Sequence, residues 1–173
     1  MRKALLVIDL QNDYFPGGNY PLWQPEAALA RVLEAMAAAQ AAGMPVVLVQ
    51  HVADPAKGTS PFFNQGSEGV QIHPAVLAAA PGAPVVVKGH ADSFRDTTLE
   101  ATLDGLGVDS LLVCGMMTQN CVTHTAISKA AERYQVTVLG DACTTVDRMV
   151  HGMALNALAP RVPVMPAGEA FGA

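Results

Sequence analysis

The sequence predicts an α/β fold: a three-layer, doubly wound domain with a six-stranded parallel sheet and helices on both faces. Three observations predict it. Short β-branched runs alternate without a break with longer stretches of helical period. The runs are apolar at consecutive positions, as strands covered on both sides are. The stretches between them are long enough for the right-handed crossovers that parallel strands require. Together these define a Rossmann-like organisation.

The strand runs are residues 3–9, 45–52, 84–88, 110–115, 135–140 and 161–165. Between them, residues 25–42 form an alanine-rich helix, with Pro25 near its start and Gly43 as its stop. Asp96 or Thr97 can cap a helix ending near Gly105, and residues 120–134 and 146–158 read as two more. Residues 51–73 are rich in Gly, Ser, Pro and Asn and lack regular pattern. A loop of that length in a compact domain is functional or mobile. It follows the carboxyl end of a strand, where doubly wound folds bind ligands. Phe62 and Phe63 within it are placed to cover a pocket. No repeat or linker divides the chain, so residues 1–173 are expected to form a single domain.

Composition narrows the function. The chain is 51% hydrophobic and only 14% charged, which excludes disorder and leaves apolar surface for self-association. A homo-oligomer is expected. The net charge of −5 and the lack of a Lys/Arg cluster disfavour nucleic acid as a partner. No apolar run reaches the ~20 residues of a membrane span, and Asp9 interrupts the first run too early for a signal peptide. Three cysteines without framework spacing fit a reducing, cytoplasmic setting. Neither CxxC nor HExxH occurs, and the turn after the first run carries no glycine-rich phosphate loop. No cofactor is expected, and the partner is a small-molecule substrate.

Three residues carry candidate chemistry. Asp9 closes the first run after Leu-Leu-Val-Ile, and Lys88 closes the third after Val-Val-Val. Cys121 lies where an apolar run breaks at Gly115 and a helical pattern begins, a position that stabilises a thiolate. If the runs are neighbouring parallel strands, all three side chains meet at one edge of the sheet. Each has an ordinary alternative. Asp9 can be a loop aspartate bonded to local backbone, and Lys88 can point to solvent. A free cysteine is often a small buried hydrophobe, which fits Cys114 well and leaves Cys143 ambiguous. His51 and His90 follow strands and are expected to line the pocket, whereas His124 points away along its helix. An aspartyl phosphatase is a rival reading, but Gln11 stands where its second acid belongs.

Four segments, in this order and spacing, resemble the isochorismatase-like cysteine hydrolases, a family that includes nicotinamidases and N-carbamoylsarcosine amidohydrolases. They are Ala4 to Phe15, Val87-Lys88 with Asp92-Ser93-Phe94 and Leu99, Val113 to Val122 with Thr125-Ala126, and Asp141-Ala142. The resemblance implies a catalytic triad of Asp9, Lys88 and Cys121. It implies a cis peptide at Met116–Met117, with the N–H groups of Met117 and Cys121 as the oxyanion site. Substrate contacts are expected from Gln11, Phe15, His51, Phe62, Phe63, His90 and Phe94. Nicotinamidases carry Asp-x-His after the second strand to bind a metal. Here that stretch is Val49-Gln50-His51-Val52, without the aspartate, so no metal is expected. Isochorismatases proper can lack the cysteine that this chain keeps, which favours amide, carbamoyl or ureido hydrolysis. The alternatives are isochorismate-type hydrolysis, a nicotinamidase, or a catalytically silent binding protein of the same fold.

Overall fold

A computed structural model describes residues 1–172. All six expected strands form, as β1 (Lys3–Ile8), β2 (Val46–His51), β3 (Val85–Lys88), β4 (Ser110–Met116), β5 (Gln135–Thr144) and β6 (Val164–Met165). They make one sheet in the order β3-β2-β1-β4-β5-β6, with every pair parallel. The chain starts in the middle, builds outward to β3, then returns to the other side of β1. The switch point therefore lies between β1 and β4, and the carboxyl ends of those strands open a crevice there.

The pleat sends alternate residues of β1 into two cores. Leu5 and Val7 pack with α1 (Pro25–Ala41), α2 (Pro74–Ala79) and α6 (Ala167–Phe171) on one face. Ala4, Leu6 and Ile8 pack with α3 (Leu99–Gly105), α4 (Thr123–Ala126) and α5 (Arg148–Leu158) on the other. Pro25 opens α1, and Gly43 follows it at φ 65°, a left-handed conformation that glycine adopts freely. Asp147 caps α5 by accepting from Val150 N at 2.8 Å.

Four features depart from the sequence reading. The expected helix over 120–134 breaks into a π-turn (Thr118–Val122), the single turn α4, and a 3₁₀ turn (Ala130–Arg133). Val122, Thr123, Thr125 and Ile127 are β-branched and weak helix formers. Tertiary hydrogen bonds also hold the segment: Thr125 Oγ1 donates to Ser93 Oγ at 2.8 Å, and Ser128 Oγ donates to Asp92 Oδ2 at 2.7 Å. Strand β5 runs four residues past Gly140, because a bulge lets two steps of β4 (Val113 to Gly115) face five of β5 (Val138 to Cys143). Edge strand β3 is not covered on both faces: Val85 and Val87 are 44% and 54% exposed. The short helices α2 and α6 carry too little periodicity to be read from sequence.

The long loop is tied down rather than loose. Asp13 is buried and accepts from Phe63 N at 2.7 Å and from Asn19 N at 3.0 Å. Gly69 lies against the Asp13 carboxylate so closely that a Cβ would collide with it. The Gln11 amide donates to Val70 O and His51 O, both at 2.8 Å, and accepts from His51 N at 2.8 Å. One buried amide thus joins β1 to β2 and to the far end of the loop.

Gly115 sits at the switch point with φ 125°, and a Cβ there would strike the Ile8 backbone. Gly115→Ala should therefore destabilise the protein by about 3 kcal/mol or more, from a forbidden φ plus a forced separation of β1 and β4. A urea midpoint equal to that of the wild type would contradict this.

Candidate active site

Strand order explains how three distant residues meet. Asp9 follows the last residue of β1 and turns the chain at φ 55°; Lys88 ends β3; Cys121 lies in the π-turn after β4. β3 stands two strands from β1, about 10 Å at ~4.8 Å per strand. A lysine is long enough to cross behind β2, and here it does. Lys88 Nζ lies 2.9 Å from Asp9 Oδ2 and 3.2 Å from Cys121 Sγ. It also lies 3.0 Å from His51 Nδ1 and 3.0 Å from the His90 carbonyl oxygen. Asp9, Lys88 and Cys121 are all buried.

The electrostatics follow from burial and these distances. Burial raises the Cys121 thiol pKa, Asp9 raises it further, and Lys88 opposes both without overcoming them. Cys121 therefore rests as a thiol in the free site. Burial works against the Lys88 charge, but Asp9 and Cys121 outweigh it, and the lysine pKa is raised. The Asp9–Lys88 contact is an ion pair of short distance and poor hydrogen-bond direction, since neither Asp9 oxygen has a well-directed donor. That leaves the carboxylate open to the thiol proton. A thiolate stabilised by a long helix dipole does not fit this arrangement, because Cys121 precedes only the single turn α4.

Asp9, His51 and Cys121 each present one metal-ligating atom, all within 4.8 Å of one another. The Lys88 ammonium lies among them, within 3.2 Å of each residue's polar atom. A cation bound there would have to displace a charge already seated.

The other sequence candidates sort by location. The Met116–Met117 peptide is cis and leads directly into the π-turn. Phe63 is buried at φ 61°, its ring 4.6 Å from Tyr14 and 5.8 Å from His51; Phe62 packs at a tilt against Tyr20 at 4.7 Å. His90 lends its carbonyl to Lys88 and turns its imidazole outward to Asp96, 3.3 Å away. Three residues expected at the substrate make other contacts. Gln11 spends both its N–H donors on backbone carbonyls and accepts from His51 N through its oxygen. Phe15 packs at a tilt against His73 at 4.6 Å, beside an open groove that also involves Asn12, Gly17 and Gly69. Phe94 stacks on Tyr134 at 5.9 Å and serves the core. Cys114 and Cys143 are buried, with Cys143 pushed up to about 12 by burial, as inert thiols are. His124 bonds back to Asn120 O at 2.9 Å.

Tyr14 is the residue the sequence reading passed over. It is buried, burial raises its phenol pKa, and its ring lies 4.6 Å from Phe63, which in turn lies 5.8 Å from His51. Its position five residues after Asp9, in the same segment as Gln11, was the available signal.

The chain matches the isochorismatase domain over residues 3–167. It is 39% identical over 145 residues to YddQ of Bacillus subtilis (strain 168), an isochorismatase family protein of uncharacterised activity, covering 84% of this chain and 79% of that one. It is 36% identical to a streptothricin hydrolase of Streptomyces noursei over 84% of this chain, although that match spans only 50% of the longer relative. A crystal structure assigned as an isochorismatase hydrolase, from Oleispira antarctica, superposes with a TM-score of 0.88 at 37% identity, covering 99% of this chain and 97% of that one. The fold and site thus define a doubly wound hydrolase domain. This chain belongs to the isochorismatase family.

Removing one member of the buried ion pair leaves the other unpaired. Lys88→Met should cost about 3–5 kcal/mol of stability, and adding Asp9→Asn should recover part of that loss. Chemical denaturation checks both; a Lys88→Met protein as stable as the wild type would show that the charges are not paired.

Proposed function

We propose that the protein is a cysteine-dependent, metal-independent hydrolase of a small amide, carbamoyl or ureido compound. The observation that carries this reading is one buried ammonium 2.9 Å from a carboxylate and 3.2 Å from a thiol. The substrate carbonyl enters beside Cys121. Asp9 accepts the thiol proton as the sulfur attacks, and Lys88 stabilises the charge that appears on sulfur. The N–H groups of Met117 and Cys121 hold the oxyanion, an interaction of the type that contributes about 3–4 kcal/mol per donor. The C–N bond breaks, and the leaving nitrogen takes the proton from Asp9. Water then attacks the thioester, with Asp9 as base again. The acid departs, and the thiol regains its proton. Amide plus water becomes acid plus amine, with the enzyme unchanged.

Cover by Phe63 and the burial of Cys121 favour a small substrate. The kinship with a streptothricin hydrolase supports hydrolytic chemistry but names no substrate for this chain.

The test is ammonia release from a panel of small amides, carbamoyl compounds and ureides. Cys121→Ala should lower turnover of any positive compound by at least about a thousandfold while the fold persists. Asp9→Asn should lower kcat by about 10²–10⁴-fold with little change in KM. Normal turnover by purified Cys121→Ala would refute the mechanism.

Exhaustive chelation should leave activity intact, because Lys88 fills the space among Asp9, His51 and Cys121. Loss on EDTA treatment with recovery on adding zinc, iron or manganese would overturn the metal-independent reading.

A further inference from the structure

Lys88 has more acceptors than protons. Four polar atoms lie within 3.2 Å of its Nζ: Asp9 Oδ2, His51 Nδ1, the His90 oxygen and Cys121 Sγ. An ammonium carries three N–H bonds. Its side chain is wholly buried, so water cannot supply or take up the difference. We propose that His51 is a positioning residue: its Nδ1 accepts one Lys88 proton, the His90 carbonyl accepts a second, and the third is thereby kept directed at Cys121 Sγ, while Asp9 is held by charge alone.

The geometry of His51 supports this division. His51 and Lys88 are paired neighbours in the β2–β3 ladder, so their side chains rise from the same side of the sheet. The Gln11 amide grips His51 on both N and O. The Phe63 ring packs 5.8 Å from the imidazole at 35°. The ring therefore has a fixed place. Lysine cannot accept a hydrogen bond, so a 3.0 Å contact requires a bare Nδ1 and puts the imidazole proton on Nε2. A proton on Nδ1 would set two cationic donors face to face. The surroundings oppose that state: burial and Lys88 lower the His51 pKa, and His90 adds to them, against Asp9 at 3.9 Å.

The consequence is a lysine held by two acceptors that do not react. While Cys121 carries its proton, the third N–H already points at Sγ, and Asp9 faces the ammonium as an ion pair without a directed hydrogen bond. When the proton moves from Sγ to the Asp9 carboxylate, Asp9 becomes neutral and the sulfur becomes the stronger acceptor. The N–H already directed at Sγ tightens on it, and Nζ stays in place. Without the His51 acceptor, the ammonium would settle on Asp9 and support the thiolate less. This gives His51 a role toward Lys88 rather than toward substrate, the contact expected from sequence.

The test reads Cys121 directly and needs no substrate, so its outcome is separate from that of the ammonia screen. The rate of iodoacetamide labelling at the Cys121 peptide is measured at one neutral pH for the wild type, His51→Leu and His51→Asn, with folding checked by far-UV circular dichroism. Leucine fills the space without an acceptor; asparagine Oδ1 can stand where Nδ1 stood. His51→Leu should label about tenfold more slowly or worse, and His51→Asn should return to within about threefold of wild type, the scale of one hydrogen bond to a charged group. Wild-type labelling in folded His51→Leu would overturn the proposal. So would a His51→Asn protein that labels about tenfold more slowly than wild type, even if His51→Leu fails to fold and His51→Phe takes its place.

Discussion

A buried ammonium is the constraint from which the rest of this structure can be read. Moving an isolated lysine charge out of water is costly, and only close acceptors make it tolerable. Lys88 has them because β1, β2, β3 and β4 lie in spatial order 3-2-1-4, which brings their carboxyl ends to one crevice. From β1 comes Asp9, from β2 His51, from β3 the lysine itself, and from the turn after β4 Cys121. Another order of strands would leave the charge unpaired. The same contacts that stabilise the fold hold the chemical groups together, so stability and reactivity are coupled at this point.

The second requirement is exclusion of water, and the loop after β2 meets it. Asp13 fixes the backbone at Phe63, and Gln11 joins His51 to Val70. Both lie within four residues of Asp9, on the segment that leaves β1. Tyr14 from that segment packs at a tilt against Phe63. One short stretch thus supplies the carboxylate, the struts of the cover and one wall. Burial then raises the thiol pKa, so Cys121 rests as a thiol in the free site, and charge develops on sulfur only as the proton leaves.

The architecture was legible in the sequence because local pattern carries it. Six unalternating apolar runs separated by crossover-length stretches leave few topologies. Asp9 and Lys88 stood out because charged residues at strand ends interrupt those runs. What escaped the sequence depends on partners far along the chain. Gln11 looks like any polar residue after a strand, and its acceptors lie 40 and 59 residues away. The helix over 120–134 has acceptable period, but Thr125 and Ser128 are drawn to Ser93 and Asp92, 32 and 36 residues earlier. Phe94 lies in a matching segment yet faces Tyr134, since sequence proximity to Lys88 does not say which side of the sheet a ring takes. His51 was placed at the pocket from its strand-end position, but its contact with Lys88 required knowing that β2 and β3 are neighbours.

The most direct measurement is ¹⁵N NMR of the lysine ammonium groups. The chain has four lysines, Lys3, Lys57, Lys88 and Lys129, and only Lys88 is buried. Exposed ammonium protons exchange with water quickly, so the spectrum at neutral pH should contain one slowly exchanging signal, lost in Lys88→Met. That signal should stay charged as pH rises and titrate above the ordinary lysine value of 10.5. A Lys88 that loses its proton below 10.5, or exchanges as fast as the exposed lysines, would contradict a buried ammonium shared among Asp9, His51 and Cys121.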